Sequence, residues 1–210
     1  MESQLYYVGD PMCSWCWGFR PVLREIVSVL PESVPVVYVM GGLAKDSDAP
    51  MPEATRAYVQ RNWRDVAATT GAEFNWDFWR KCKPRRSTYP ACRAVLAARA
   101  QREDAVPELF DAIQSAYYRE ARNPSDIETL TAVAGSLSPP LDMGRFERDI
   151  RSPEIEADLQ AGFNLRRALG VREFPSVVVR HGDAQTDVVR GWANAETAMA
   201  KLEKALGGET

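Results

Sequence analysis

A short apolar run, Leu5 to Val8, is broken by Gly9-Asp10-Pro11 and followed at once by Cys13-Ser14-Trp15-Cys16, two cysteines placed where a strand hands over to a helix. The run has the length and character of a buried strand, and the Gly-Asp-Pro sequence ends it. Beyond the cysteines, Phe19, Val22, Leu23, Ile26, Val27 and Leu30 recur at helical spacing and give a helix one apolar face. Cys13 therefore falls at a helix N-terminus, where free N–H groups and the positive end of the macrodipole favour a thiolate. A free cysteine ionises near about 8.5, and such positions bring it to roughly 3.5 to 7.5. Cys16, one turn on, faces the core. The pattern predicts a divided labour in which Cys13 exchanges with a disulfide and Cys16 resolves the mixed disulfide.

A Cys-x-x-Cys pair is also half of a structural zinc site. The remaining soft ligands are Cys82, Cys92 and the single His181, with no second short-spaced cysteine pair among them. That arithmetic leaves a zinc-binding or docking module as a competing reading and favours no metal.

Composition narrows the class. At 210 residues the chain can bury roughly 70% of its unfolded surface without staples. A formal net charge of -3 supplies no electrostatic reason for a nucleic-acid or anionic-membrane partner. No stretch has the apolar length of a membrane span. Met1-Glu2-Ser3-Gln4 leads into the first strand without a basic segment or an apolar signal core, so the expected location is the cytoplasm. In a reducing compartment a disulfide is more often transient and catalytic than structural.

Val34 to Met40, ending at Gly41-Gly42, reads as the second strand, completing a right-handed βαβ unit. Ser176 to Val179 and Val188 to Arg190 read as two strands around His181-Gly182-Asp183. A closing helix follows, capped by Asn194, with Ala195, Met199, Leu202 and Leu206 on its apolar face. Between the halves, residues 44–170 carry helical period almost throughout. Val106, Leu109, Phe110, Ile113 and Tyr117 form one stripe and Ile155, Leu159 and Phe163 another. Ser125 with Glu128 makes a capping box, Ser152-Pro153-Glu154 a second helix start, and Gly170 a helix stop. The fold class expected is α/β: a thioredoxin fold (βαβ…ββα) over 1–43 and 171–210, with a large all-helical insertion over 44–170 after the second strand.

Four segments carry a resemblance: Asp10-Pro11-Met12-Cys13-Ser14-Trp15-Cys16-Trp17-Gly18-Phe19, then Gly41-Gly42-Leu43, Ser87-Thr88-Tyr89-Pro90-Ala91, and Val171-Arg172-Glu173-Phe174-Pro175. Together they resemble the DsbA family of thioredoxin-like thiol-disulfide oxidoreductases, most of all its cytoplasmic, FrnE-like branch. The resemblance implies a protein dithiol-disulfide oxidoreductase or isomerase with Cys13 attacking and Cys16 resolving. It implies that Pro175 is cis and lies against the cysteines, and that the Phe174 backbone pairs with an extended substrate. Ser14 and Trp15 would touch substrate and set the redox poise, in place of the Pro-His of DsbA. Partners would be protein or small-molecule thiols and disulfides, with no cofactor beyond the Cys13–Cys16 disulfide and with glutathione as a co-substrate. A glutathione-dependent transferase or isomerase of the kappa or hydroxychromene-carboxylate type is the alternative, although that type carries a serine for the attacking cysteine.

Other residues have a structural reading beside a functional one. Asp10 is a general base for Cys16 if buried, or a turn residue capping its loop. Trp15, Trp17 and Phe19 line an apolar groove, or Phe19 joins the core. Trp63, Trp76 and Trp79 are expected in the core of the insertion, and Cys82 and Cys92 as small hydrophobes or as a second, regulatory redox pair. Arg80, Lys81, Lys83, Arg85 and Arg86 form a solvated basic loop or a site attracting glutathione or an acidic partner.

Overall fold

The computed structural model describes residues 3–207. Strand β1 (Ser3–Gly9) leads into helix α1 (Ser14–Val29) and strand β2 (Val36–Met40). Helices α2 (Glu53–Thr70), α3 (Phe78–Lys81), α4 (Tyr89–Arg99), α5 (Ala105–Tyr118), α6 (Ile127–Ala134), α7 (Met143–Asp149) and α8 (Pro153–Ala168) follow. Strands β3 (Ser176–His181) and β4 (Ala184–Arg190) and helix α9 (Ala195–Leu206) close the chain. The four strands form one mixed sheet in the order β2-β1-β3-β4, with β1 parallel to β2 and antiparallel to β3. This is the interrupted thioredoxin topology expected from the sequence.

Both faces of β1 are covered, which is why it reads as an unbroken apolar run. Leu5 and Tyr7 point into the main core with Phe19 and Ile26 of α1, Val177 and Val179 of β3, and Leu202 of α9. Tyr6 and Val8 point the other way, against Val39, Val178, Leu169 and Val171, with Leu165 of α8 packed alongside. The site loop between β1 and α1 is thus held by a strand that cannot shift without exposing two cores.

Helices α5, α6, α7 and α8 pack around α4, whose Ala91, Ala94, Ala97 and Ala98 are all fully buried. These four small side chains share one side of the helix and let its neighbours approach closely there. Gly18 does the same for α1, since a Cβ there would lie 2.8 Å from Val66 Cγ1 of α2.

Local signals met tertiary competition in several places. Ser152 and Asn194 cap α8 and α9 by accepting from Ile155 N and Thr197 N, and Gly170 ends α8 in the left-handed region. The Ser125–Glu128 capping box does not form: Asp126 is the N-cap of α6, because the Ser125 hydroxyl donates instead to the Ser87 carbonyl at 2.8 Å. β2 begins at Val36 rather than Val34, although Leu5 N still bonds the Pro35 carbonyl at 3.0 Å. Val27, assigned to the apolar face of α1, is 39% exposed, because the buried stripe ends at Ile26.

Candidate active site

Cys13 is the N-cap of α1 in extended conformation, with its N–H bonded to the Asp10 carbonyl at 3.0 Å and its carbonyl accepting from Trp17 N at 3.1 Å. Its sulfur is within hydrogen-bonding reach of Cys16, which lies one turn deeper and is 1% exposed. The Cys16 thiol donates to the Cys13 sulfur, the largest cause holding Cys13 below the ordinary thiol value. Burial works against this, and the backbone N–H groups of Cys16 and Trp15 assist. Helix-terminus donors therefore act, as expected from the sequence, but second to the partner thiol. Burial pushes Cys16 well up, followed by its hydrogen bond to Cys13 and the charge there. The pair is thus split into an acidic sulfur that lines a cleft and a reluctant one buried more deeply.

The ordering has a measurable consequence. Cys13 alkylation by iodoacetamide should have its pH midpoint below about 8.5 in the wild type. Cys16→Ala removes the leading cause and should move that midpoint up, whereas an unmoved midpoint would make the helix terminus the main cause. Linkage gives the sign for stability. A thiol whose folded pKa is depressed contributes stability to the reduced form that is present above its unfolded value and lost as pH falls through the folded one.

Asp10 is fully buried and caps its loop, as the structural reading of it expected. One carboxylate oxygen accepts from Met12 N at 2.8 Å; the other accepts from Leu43 N at 2.7 Å, Thr88 Oγ1 at 2.7 Å and Cys92 Sγ at 3.6 Å. Burial raises its pKa, and these donors offset part of the rise. The carboxylate ties the cysteine loop, the segment after β2 and the head of α4 to one point. Those are three of the four segments on which the family resemblance rested. Thr88, at the N-cap of α4, caps nothing with its side chain, because its hydroxyl is engaged here.

The fourth segment supplies the opposite wall. The Phe174–Pro175 peptide is cis, Pro175 is buried, and the Cys13 thiol lies 3.8 Å from the Phe174 carbonyl oxygen. Beside Cys13 opens a cleft of about 560 Å³, lined among others by Ser14, Trp15, Arg86, Arg172, Glu173 and Trp192. Trp15 leans on Trp192 with ring centroids 6.2 Å apart. A larger depression of about 1120 Å³, among Asp46, Arg85, Arg93, Asp126 and Glu156, contains no cysteine, and Arg85 and Arg93 there are already paired with acids.

The family model described as Thioredoxin matches residues 6–197. The chain belongs to the thioredoxin family. A structure from Nitrosomonas europaea described as a candidate protein disulfide isomerase superposes with a TM-score of 0.88, at 29% identity, covering 100% of both chains. The cytosolic disulfide reductase DsbM of Pseudomonas aeruginosa superposes with a TM-score of 0.79 at 24% identity, covering 97% of this chain and 98% of that one. DsbM has also been solved with GSH. A curated relative, the ClpXP adapter protein SpxH of Halalkalibacterium halodurans, is 21% identical over 179 residues, 83% of this chain. The chain spans 58% of that relative's length. The expected thioredoxin-like family is therefore shown, and the likeness to DsbA-like proteins holds at the level of fold.

The thioredoxin-family site differs from the sequence reading in its surroundings. Trp17 does not line a groove: it is buried, donates to the Glu73 carbonyl at 3.1 Å and stacks on Tyr118. Phe19 is core. Trp63 and Trp79 are core as expected, but Trp76 is 40% exposed, with the Arg64 guanidinium over its ring. Of the basic cluster, Arg80 and Lys81 pair with Asp77, Arg85 pairs with Asp126, and Arg86 lines the cleft. Cys92 is buried against Asp10, while Cys82 is half-buried and donates to the Ala121 carbonyl at 3.1 Å. Tyr7, Arg172 and Trp192 escaped sequence reasoning. Tyr7 reads as one more apolar strand residue, and the other two lie far along the chain from the cysteines.

Proposed function

We propose that this protein is a dithiol-disulfide oxidoreductase or isomerase in which Cys13 attacks and Cys16 resolves. The observation that carries the reading is the asymmetric pair, with a Cys13 sulfur of lowered pKa lining a cleft and a more deeply buried thiol donating to it. The Cys13 thiolate attacks one sulfur of a substrate disulfide and expels the other as a thiolate. Cys16 then attacks Cys13, forming the internal disulfide and releasing the second substrate thiol, to which the Cys16 proton finally passes. Two electrons move from the protein dithiol to the substrate, and the reverse sequence oxidises a substrate dithiol.

The cleft supports small peptide disulfides and thiols as substrates, glutathione among them, as well as protein disulfides. Glutathione carries two carboxylates and one ammonium, and the cleft sets Arg86 and Arg172 beside Glu173. Trp15 and Ser14 would meet the substrate next to the reacting sulfur, and Phe174 with Pro175 would meet its backbone. The structure of DsbM with GSH supports this choice, and the description of DsbM as cytosolic supports a cytoplasmic setting. Among the described residues, no helix is long and apolar enough to cross a membrane.

The test is turnover of glutathione disulfide and insulin, with Cys16→Ser as the trap. Cys16→Ser should retain a glutathione adduct on Cys13, visible as added mass and removed by reductant. Arg86→Ala with Arg172→Ala should raise KM for glutathione disulfide by about tenfold, with a smaller effect on an uncharged disulfide. A Cys16→Ser variant that takes up no adduct would overturn the reading.

A further inference from the structure

Tyr7 occupies an unusual place for a core tyrosine. It lies on the same face of β1 as Gly9, because side chains two apart on a strand share a face. A Cβ at Gly9 would lie 2.7 Å from the Tyr7 hydroxyl and 2.8 Å from its Cζ, so the ring lies back along the strand in the space that Gly9 leaves. Gly9 is not among the glycines of positive φ, and its carbonyl accepts from Gly41 N at 2.6 Å within the sheet. What glycine supplies there is room, not backbone freedom. The ring is fixed by Phe19, Tyr38 and Phe110, with centroids 6.4, 5.2 and 5.8 Å away. Held this way beside Gly9, the phenol comes within reach of Cys16 on the first turn of α1.

The geometry points to Tyr7 as the hydrogen-bond donor that stabilises the Cys16 thiolate during resolution, with Gly9 as the residue that makes room for it. The inference rests on the dithiol reading above and assigns it a further residue. In the mixed disulfide the Cys13 sulfur is bonded to substrate and carries no charge, so it no longer draws the Cys16 proton. Cys16 must then become an anion in a buried place, where only a directed donor can replace water. The Tyr7 hydroxyl and the Asp10 backbone N–H are the donors directed at it. Burial holds the phenol well above its ordinary pKa, so Tyr7 donates and keeps its proton. The Cys16 anion attacks Cys13, the Cys13–substrate S–S bond breaks as the Cys13–Cys16 bond forms, and the proton lost by Cys16 ends on the departing substrate thiol.

Tyr7→Phe keeps the ring and its aromatic contacts while deleting the donor, so a purely packing role would leave it silent. Single-turnover kinetics with glutathione disulfide separate the two steps: release of the first thiol reports capture, and decay of the acid-quenched adduct reports resolution. Tyr7→Phe should capture within about twofold of wild type and resolve at least about tenfold more slowly. Gly9→Ala, which displaces the phenol without removing it, should also slow resolution. The Gly9→Ala, Tyr7→Phe double variant should resolve no more slowly than Tyr7→Phe alone. Wild-type resolution in Tyr7→Phe, or equal slowing of both steps, overturns the role of Tyr7. Should Tyr7→Phe fail to fold, Gly9→Ala decides, and unchanged resolution in it is equally fatal. Failure of the dithiol reading shows separately, as absence of an adduct in Cys16→Ser.

Discussion

Cys13→Ser should reduce disulfide turnover to the uncatalysed rate, a loss on the order of a thousandfold or more, as expected when a covalent nucleophile is removed. A serine hydroxyl at that position stays protonated at neutral pH and forms no exchangeable bond with sulfur. No other thiol is placed to substitute. Cys16 is 1% exposed behind Cys13, Cys92 is fully buried against Asp10, and Cys82 sits against the Ala121 carbonyl. The substitution removes little packing, since Ser and Cys are of similar size, so the melting temperature should hold while activity goes. Residual turnover above about a tenth of wild type would show that Cys16 receives substrate directly, and the division of labour between the sulfurs would have to be withdrawn.

Trp63→Ala should produce the largest loss of stability of any single substitution considered, about 3–5 kcal/mol by the usual cost of emptying a buried aromatic site. Trp63 is fully buried, with Phe74, Trp79, Tyr118, Tyr117, Trp76 and Phe78 at centroid distances of 5.0 to 5.8 Å. Rings from α3, the segment before α3 and the end of α5 meet on this one side chain of α2. A cavity of indole size there cannot close without moving all of them. Against a typical total of about 5–15 kcal/mol the loss is severe. Urea unfolding should show it as a lowered midpoint at constant slope. Trp63 also lies beneath the wall of the cleft beside Cys13, so under conditions where the variant stays folded a raised KM for disulfide substrate is expected. A loss below about 1 kcal/mol would mean that the surrounding rings repack freely, contrary to a close-packed interior.

The two substitutions mark two degrees of legibility. Cys13 could be found by reading along the chain, because its chemistry depends on neighbours within one turn: a strand breaker before it, a helix face after it, a second thiol three residues on. The same locality made Ser152, Asn194 and Gly170 readable as helix punctuation. Trp63 could be assigned to a core but not to its place at the centre of one. Where a side chain had both a local and a distant use, the distant one prevailed. Ser125 gave up its capping box for the Ser87 carbonyl, Thr88 left α4 uncapped to reach Asp10, and Trp17 turned from the expected groove toward Glu73 and Tyr118. A buried polar group without a partner costs more than an exposed cap contributes, which sets the direction of each exchange.

Periodicity, punctuation and one Cys-x-x-Cys at a strand-to-helix junction were enough to specify the order of the thioredoxin-like elements, the helical character of the insertion and the pair of sulfurs, because each depends on residues a few positions apart. What Asp10 binds, which arginines face Cys13, how the Cys13 sulfur is made acidic and why Gly9 must leave space for Tyr7 were decided only when segments up to some 160 residues apart met, as Cys13 and Phe174 do. Hydrogen bonds and desolvation act over a few ångströms of space, and the sequence is silent about which distant residues will share them.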